Sequence, residues 1–227
     1  MQPKSDARLR EVTTCGTAAR PRERRHRYHA TAACALTVTF MLTMSSTVSG
    51  ADDGGALYAR LARDPVPARL QGKAQARPLD VPADERAQGV VGSILVSVAA
   101  DKSHIRYFVF DTRDSAVRGY KRYVAQPWGS PMRRLFQDEF TPQSNIAPGV
   151  LTCELQRNDQ TGVHVSACLH LHKSLPVLTR STLPVKFDNS LKFSDPKVDQ
   201  MRYSAAAADS IGLLSDGTLQ VAKVAGR

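Results

Sequence analysis

Residues 163–172, VHVSACLHLH, alternate without a break between two kinds of side chain. Val163, Val165, Ala167, Leu169 and Leu171 are apolar, while His164, Ser166, Cys168, His170 and His172 are polar or soft. A period of two marks a β-strand with one face turned to a core, so this stretch commits the chain to a sheet. The turn-forming RNDQTG (157–162) precedes it, and VLTCELQ (150–156) lies before the turn, which completes a hairpin.

The hairpin holds two cysteines, Cys153 and Cys168, and three readings compete for the second. In the first it forms a disulfide with Cys153. The apolar parity of the first strand, Leu151, Cys153 and Leu155, places Cys153 on the core face. Cys168 belongs to the polar parity of its own strand. Opposed residues of a regular hairpin share a face, so this bridge requires a one-residue β-bulge, for which Ser166–Ala167 is the candidate site. In the second, Cys168, His170 and His172 form half of a zinc or copper site, their Cα atoms spaced by about 6.6 Å along one face. His164 stands about 20 Å from His170 along the strand and cannot join them. Glu154 is expected opposite His164 or Ser166, too far along to complete the set. No second Cys/His pair at zinc-finger spacing exists in the sequence. In the third, the polar parity is simply the solvated face of an ordinary strand, and this is preferred to the metal. A bonded thiol cannot ligate, so the disulfide and the full Cys168–His170–His172 set exclude one another; the disulfide is preferred.

Other segments fill in the architecture. VVGSILVSVA (90–99) and IRYFVFDT (105–112) read as strands joined by the loop ADKSH. Asp111 or Thr112 then caps a helix, RDSAVRGYKRYVA, with Ala116, Val117, Tyr120, Tyr123 and Val124 as its apolar stripe. A long connection follows, holding the single tryptophan, Trp128; it reads as an edge plug of the core or a lid, and MRRLFQDEF within it as a helical turn or two. After the hairpin, the proline-marked LPVLTRSTLPVKFDNSLKF suggests a short edge strand at Val185 and Phe187. Asp195 and Pro196 open a second helix whose stripe is Val198, Met201, Ala205 and Ala208. Asp216–Gly217 reads as a turn into a final strand, TLQVAKVA. The fold class is therefore α+β: a two-layer sandwich, mainly antiparallel, with helices on one face and a degenerate ββα repeat in its order.

The N-terminus sets the destination. Residues 1–29 carry eight Lys/Arg against three acids, and the apolar run from Ala30 to Met44 ends in small polar residues up to Gly50. This is the secretory signal pattern; the run is short and Ser/Thr-rich for a spanning helix, so an uncleaved anchor is the alternative. Residues 1–50 are assigned to the leader, 51–88 to a polar preamble with a short helix at GALYARLARD, and 89–227 to one α+β domain. The chain carries +10 in all, but half of that leaves with the leader. The remaining 23 basic and 18 acidic residues are spread along the chain, a solubility pattern that does not call for nucleic acid. Cys15 and Cys34 leave too, so an even pair remains for an oxidising compartment.

No nucleophile elbow, P-loop, dinucleotide fingerprint or H-E-x-x-H occurs. Asp138–Glu139 reads as a surface charge pair, and His104 as an exposed loop residue. The sequence points to an exported, periplasmic or secreted binding or structural domain, without a cofactor, meeting an envelope protein or polymer and touching the membrane only through its signal. The alternatives are an envelope metal-binding protein and an envelope hydrolase.

Overall fold

The computed structural model describes residues 53–126, 132–141, 144–186 and 196–227, the last segment by backbone alone for 196–199. The leader and Trp128 lie outside the described residues, as do Phe187 and Asp195.

Seven strands make one antiparallel sheet: β1 (Ala74–Leu79), β2 (Val90–Val98), β3 (His104–Phe110), β4 (Met132–Phe140), β5 (Gly149–Asn158), β6 (His164–His172) and β7 (Val177–Val185). Their order is β1-β2-β3-β7-β6-β5-β4, every neighbouring pair antiparallel. The helices are α1 (Gly54–Arg63), the single turn α2 (Ala83–Arg86), α3 (Arg113–Ala125) and α4 (Pro196–Ala225). The α+β class, the antiparallel sheet and the packing of helices on it agree with the sequence.

The expected two-layer arrangement with helices on one face is corrected: the sheet is apolar on both sides, and the helices are divided between its faces. On one side α1 and α4 cover Ile94, Val96, Ile105, Tyr107, Val109, Cys153 and Cys168. On the other, Ala116, Tyr120 and Tyr123 of α3 cover Phe108, Phe110, Leu169, Leu171 and Leu178. Thr112 caps α3, its side chain accepting from Ser115 N at 3.2 Å. The α3 stripe read from the sequence is the one that packs.

Four readings are corrected by the fold. MRRLFQDEF is an edge strand, β4, with a bulge between Arg134 and Phe136, not a helical turn. The LPVLTRSTLPV region is no edge: β7 lies in the centre, between β3 and β6. The short helix expected in the preamble is there as α1, with Leu57 and Leu61 fully buried, but the segment after it is more than a linker: it supplies β1, which extends the sheet beside β2. TLQVAKVA is not a strand, because α4 runs on through Asp216–Gly217 to Ala225.

That last correction has a packing cause. The buried stripe of α4 is Tyr203, Ala206, Ala207, Ser210, Leu214, Thr218, Val221 and Val224, recurring at helical steps across the supposed turn. At Gly217 the helix lies tight against the sheet: a Cβ there would lie 2.9 Å from Cγ2 of Ile105 and of Thr179. The glycine serves close approach rather than a turn. The stripe of Met201, Ala205 and Ala208 faces solvent, Met201 being 73% exposed.

Candidate functional site

The strand β6 carries histidine at both ends, and the two ends have opposite environments. Along its length the pairing with β5 is regular: Leu151 faces His170, Cys153 faces Cys168 and Leu155 faces Ser166. No bulge is needed. The hydrogen-bonded Asn158–Val163 pair closes the hairpin, and alternation places Cys153 and Cys168, five steps away, at a non-hydrogen-bonded position where side chains lie closest. Their Cα atoms are 4.0 Å apart and the sulfurs stand at disulfide distance.

The expected conflict of faces disappears because the polar parity of β6 is also buried. Helix α4 lies on it and takes up hydroxyls of β6 and of the neighbouring β7. Ser166 Oγ donates to the Ala206 carbonyl (2.9 Å), Ser210 Oγ donates to Ser166 Oγ (2.8 Å), and Ser181 Oγ donates to the Ser210 carbonyl (2.8 Å). Tyr203 OH donates to the Cys153 carbonyl at 2.9 Å. Buried polar groups thus find partners on the helix main chain in place of water.

At the C-terminal end of β6, His170 and His172 are sealed, at 0% and 2% exposure. Their rings meet edge to face with centroids 4.6 Å apart, and His172 Nε2 lies 3.2 Å from Thr179 Oγ1. Neither ring nitrogen of His170 has a well-formed hydrogen bond. Burial pushes its pKa down to about 4, the Ala147 backbone opposing this and Arg113 adding to it. Burial, then His170 and Arg113, hold His172 well below the usual histidine range. The two imidazoles are together as read from the sequence, but Cys168 faces Cys153. Among the described residues no set of three His, Cys, Asp or Glu is placed to hold a metal ion. Gly149 packs against the His170 ring so tightly that a Cβ would overlap His170 Nε2 and the Leu171 carbonyl. The solvated-face reading of His170 and His172 is corrected: this end is closed core.

Among the described residues, the other end of β6 is open. Two hairpin tips, at Asp101–Lys102 and at Gly162–His164, flank a groove of about 980 Å3 floored by Pro184, Val185 and Lys186 at the end of β7. It is larger than the 380 and 280 Å3 recesses beside Phe140. The groove exists because β3 begins one strand-step too late to cover this part of β7: their last pair is His104 with Thr182. Phe110 N donates to the Pro176 carbonyl, so even-numbered β7 residues turn their backbone toward β3. The next such residue is Pro184, which has no N–H to donate. Proline ends the ladder and leaves the gap.

Two features of the lining stand out. Val163 is 47% exposed, among the few large apolar side chains left open to solvent. Lys102 has φ of 60°, the one non-glycine residue with a left-handed backbone among the described residues, at a cost on the order of 1 kcal/mol. The loop is held around it by Val98 N to the Ser103 carbonyl (2.9 Å) and by Ser103 N to Asp101 Oδ1 (2.9 Å). Burial, then Arg157, lowers the pKa of His164. His104, the first residue of β3, is half-buried rather than exposed; burial and then Arg180 lower its pKa.

Behind the groove, on the α3 side of the sheet, lies a charge network absent from the sequence reading. Arg106 and Arg180 sit directly opposite one another. Arg106 Nε donates to Ser93 Oγ (2.9 Å), its Nη2 lies 3.4 Å from Glu85 Oε2, and its guanidinium is 4.1 Å above the Phe108 ring. Tyr123 OH donates to Glu85 Oε1 at 3.1 Å. Glu154, fully buried, accepts from Arg134 Nε at 2.6 Å and from Gln156; it lies opposite Ala167, not His164 or Ser166. Burial lowers the Arg180 pKa to about 10, with Glu154 opposing. A sequence signal for this network existed: single arginines inside the apolar runs IRYFVF and LPVLTRSTLPV call for buried partners. Asp138 and Glu139 are exposed on opposite faces of β4, a surface pair as read.

No family model, curated protein or solved structure matches this chain. No helix among the described residues is long and apolar enough to cross a membrane.

Proposed function

We propose that the chain is an exported binding domain of the bacterial envelope or its exterior, acting through the groove at the hairpin tips and without catalysis. The observation that carries this reading is the contrast along β6. The side chains with the richest chemistry, Cys168, His170 and His172, are sealed into the core, whereas the groove around Val163 and Lys102 stays open. Ligand sites are concave, largely apolar and furnished with a few placed polar groups, and the groove has that character. The signal-like leader and the paired cysteines support export. The partner on this reading is an envelope molecule, protein or polymer, and not a nucleic acid.

Intact mass of the full-length product recovered from the envelope fraction, without reductant, tests the export half. The expected mass lacks residues 1–50 and is lighter by two hydrogens than the reduced chain. A product that retains the leader overturns processed export, and one with two free thiols removes the oxidising compartment from the account.

A further inference from the structure

We propose that the hairpin-tip groove binds an amphiphilic anion, its charged head between Lys102 and Lys186 and its apolar body over Val163, Pro184 and Val185; this rests on the binding-domain reading above. The class of ligand follows from what the groove offers and what it withholds. Its walls are chiefly apolar, and its volume of about 980 Å3 lies at the upper end of the about 300–1,000 Å3 usual for small-molecule sites. An extended peptide adding to the sheet would need alternating donors and acceptors along the free stretch of β7. Pro184, at the outward-facing position, withdraws the donor, so a ligand that relies on apolar contact fits better than a strand.

Charge selects the sign of the head. The lining holds two lysines, Lys102 and Lys186, to one carboxylate, Asp101, and the Asp101 carboxylate accepts from Ser103 N in its own loop. Arg106 and Arg180 lie next along the sheet behind His104. A cationic head would meet two lysines against one carboxylate, a net repulsion, while an anionic one satisfies the lysines. Lys102 reaches this position from a left-handed backbone that glycine would adopt without strain, so the loop holds a lysine against its conformational preference at the mouth of the groove.

Isothermal titration of the chain as recovered from the envelope, with three probes, tests the proposal. Dodecyl phosphate below its micelle concentration is expected to bind at one site. Inorganic phosphate and dodecyltrimethylammonium are expected to give no saturable heat. Lys102→Gly and Lys186→Ala should each weaken dodecyl phosphate about tenfold, the scale of one charge-assisted hydrogen bond, and Val163→Ser should weaken it less. Lys102→Gly also suits the backbone, so a loss there is not a folding defect; unchanged thermal midpoints confirm this. Equal binding of the cation, or full binding by Lys102→Gly/Lys186→Ala, overturns the site. So does an absence of saturable binding by folded protein. Mass on the same sample separates the two readings: correct processing with no binding overturns the ligand alone, and a retained leader overturns export alone.

Discussion

The two ends of β6 differ by what the neighbouring elements do, since the strand's own alternation continues through both. At the C-terminal end α4 lies over the polar parity, so His170 and His172 become neutral core groups beside Gly149 and Thr179. At the N-terminal end β3 stops at His104, Pro184 blocks its continuation, and His164 borders an open groove. A histidine-rich strand therefore signals nothing until its cover is known. Burial turns one end into scaffold, and at the other no strand among the described residues pairs with β7 beyond Thr182 on the β3 side, which on the proposed reading leaves that end to the ligand.

The comparison breaks first, and most expensively, at the closed end. Reducing the Cys153–Cys168 pair, or replacing both cysteines by alanine, is expected to cost about 3 kcal/mol for a loop of this length. Urea unfolding with and without reductant reads it, and a midpoint indifferent to reductant would show that the pair contributes nothing to the scaffold. Acid comes next. His170 has a folded pKa of about 4 and an ordinary value of about 6.5 when unfolded, so the unfolded chain binds more protons between those values. The contribution is fully present above about pH 6.5 and is lost as pH falls toward 4. Stability should decline by about 2 kcal/mol by about pH 4.5, and His170→Leu should flatten that slope in pH-dependent denaturant melts. A slope unchanged in His170→Leu would place the ring in water instead of the core.

The open end should respond weakly in stability. Gly162 has φ of 69° with no atom within 4 Å of a built Cβ, so Gly162→Ala is expected to cost about 1 kcal/mol through backbone strain alone. Lys186→Ala should change the thermal midpoint by no more than the equivalent of about 0.5 kcal/mol. A large loss from Lys186→Ala would mean that the groove rim is part of the scaffold too.

What could be read from the sequence follows a physical division. Strands β2, β3, β5 and β6, the Thr112-capped α3 and the start of α4 announce themselves through local periodicity, caps and turns. Long-range cover does not. That α4 would fill the polar side of β6 depends on serine hydroxyls meeting helix carbonyls, which alternation cannot reveal. The bulge demanded for Cys153–Cys168 followed from assuming one wet face, and the regular register removes it. Gly217 misled because a glycine at a turn and a glycine at a close helix–sheet contact look alike in sequence. The groove was invisible for the same reason: it joins two hairpin tips some sixty residues apart, and only the placement of β7 between β3 and β6 brings them together.

The most direct test of the contrast is backbone amide chemical-shift mapping of the isotopically labelled chain during titration with dodecyl phosphate. The account predicts shifts confined to residues 100–102, 162–164 and 185–186, with the amides of Gly149, His170, His172 and Thr179 unmoved. Shifts centred on the histidine end, or none at either end, would contradict it.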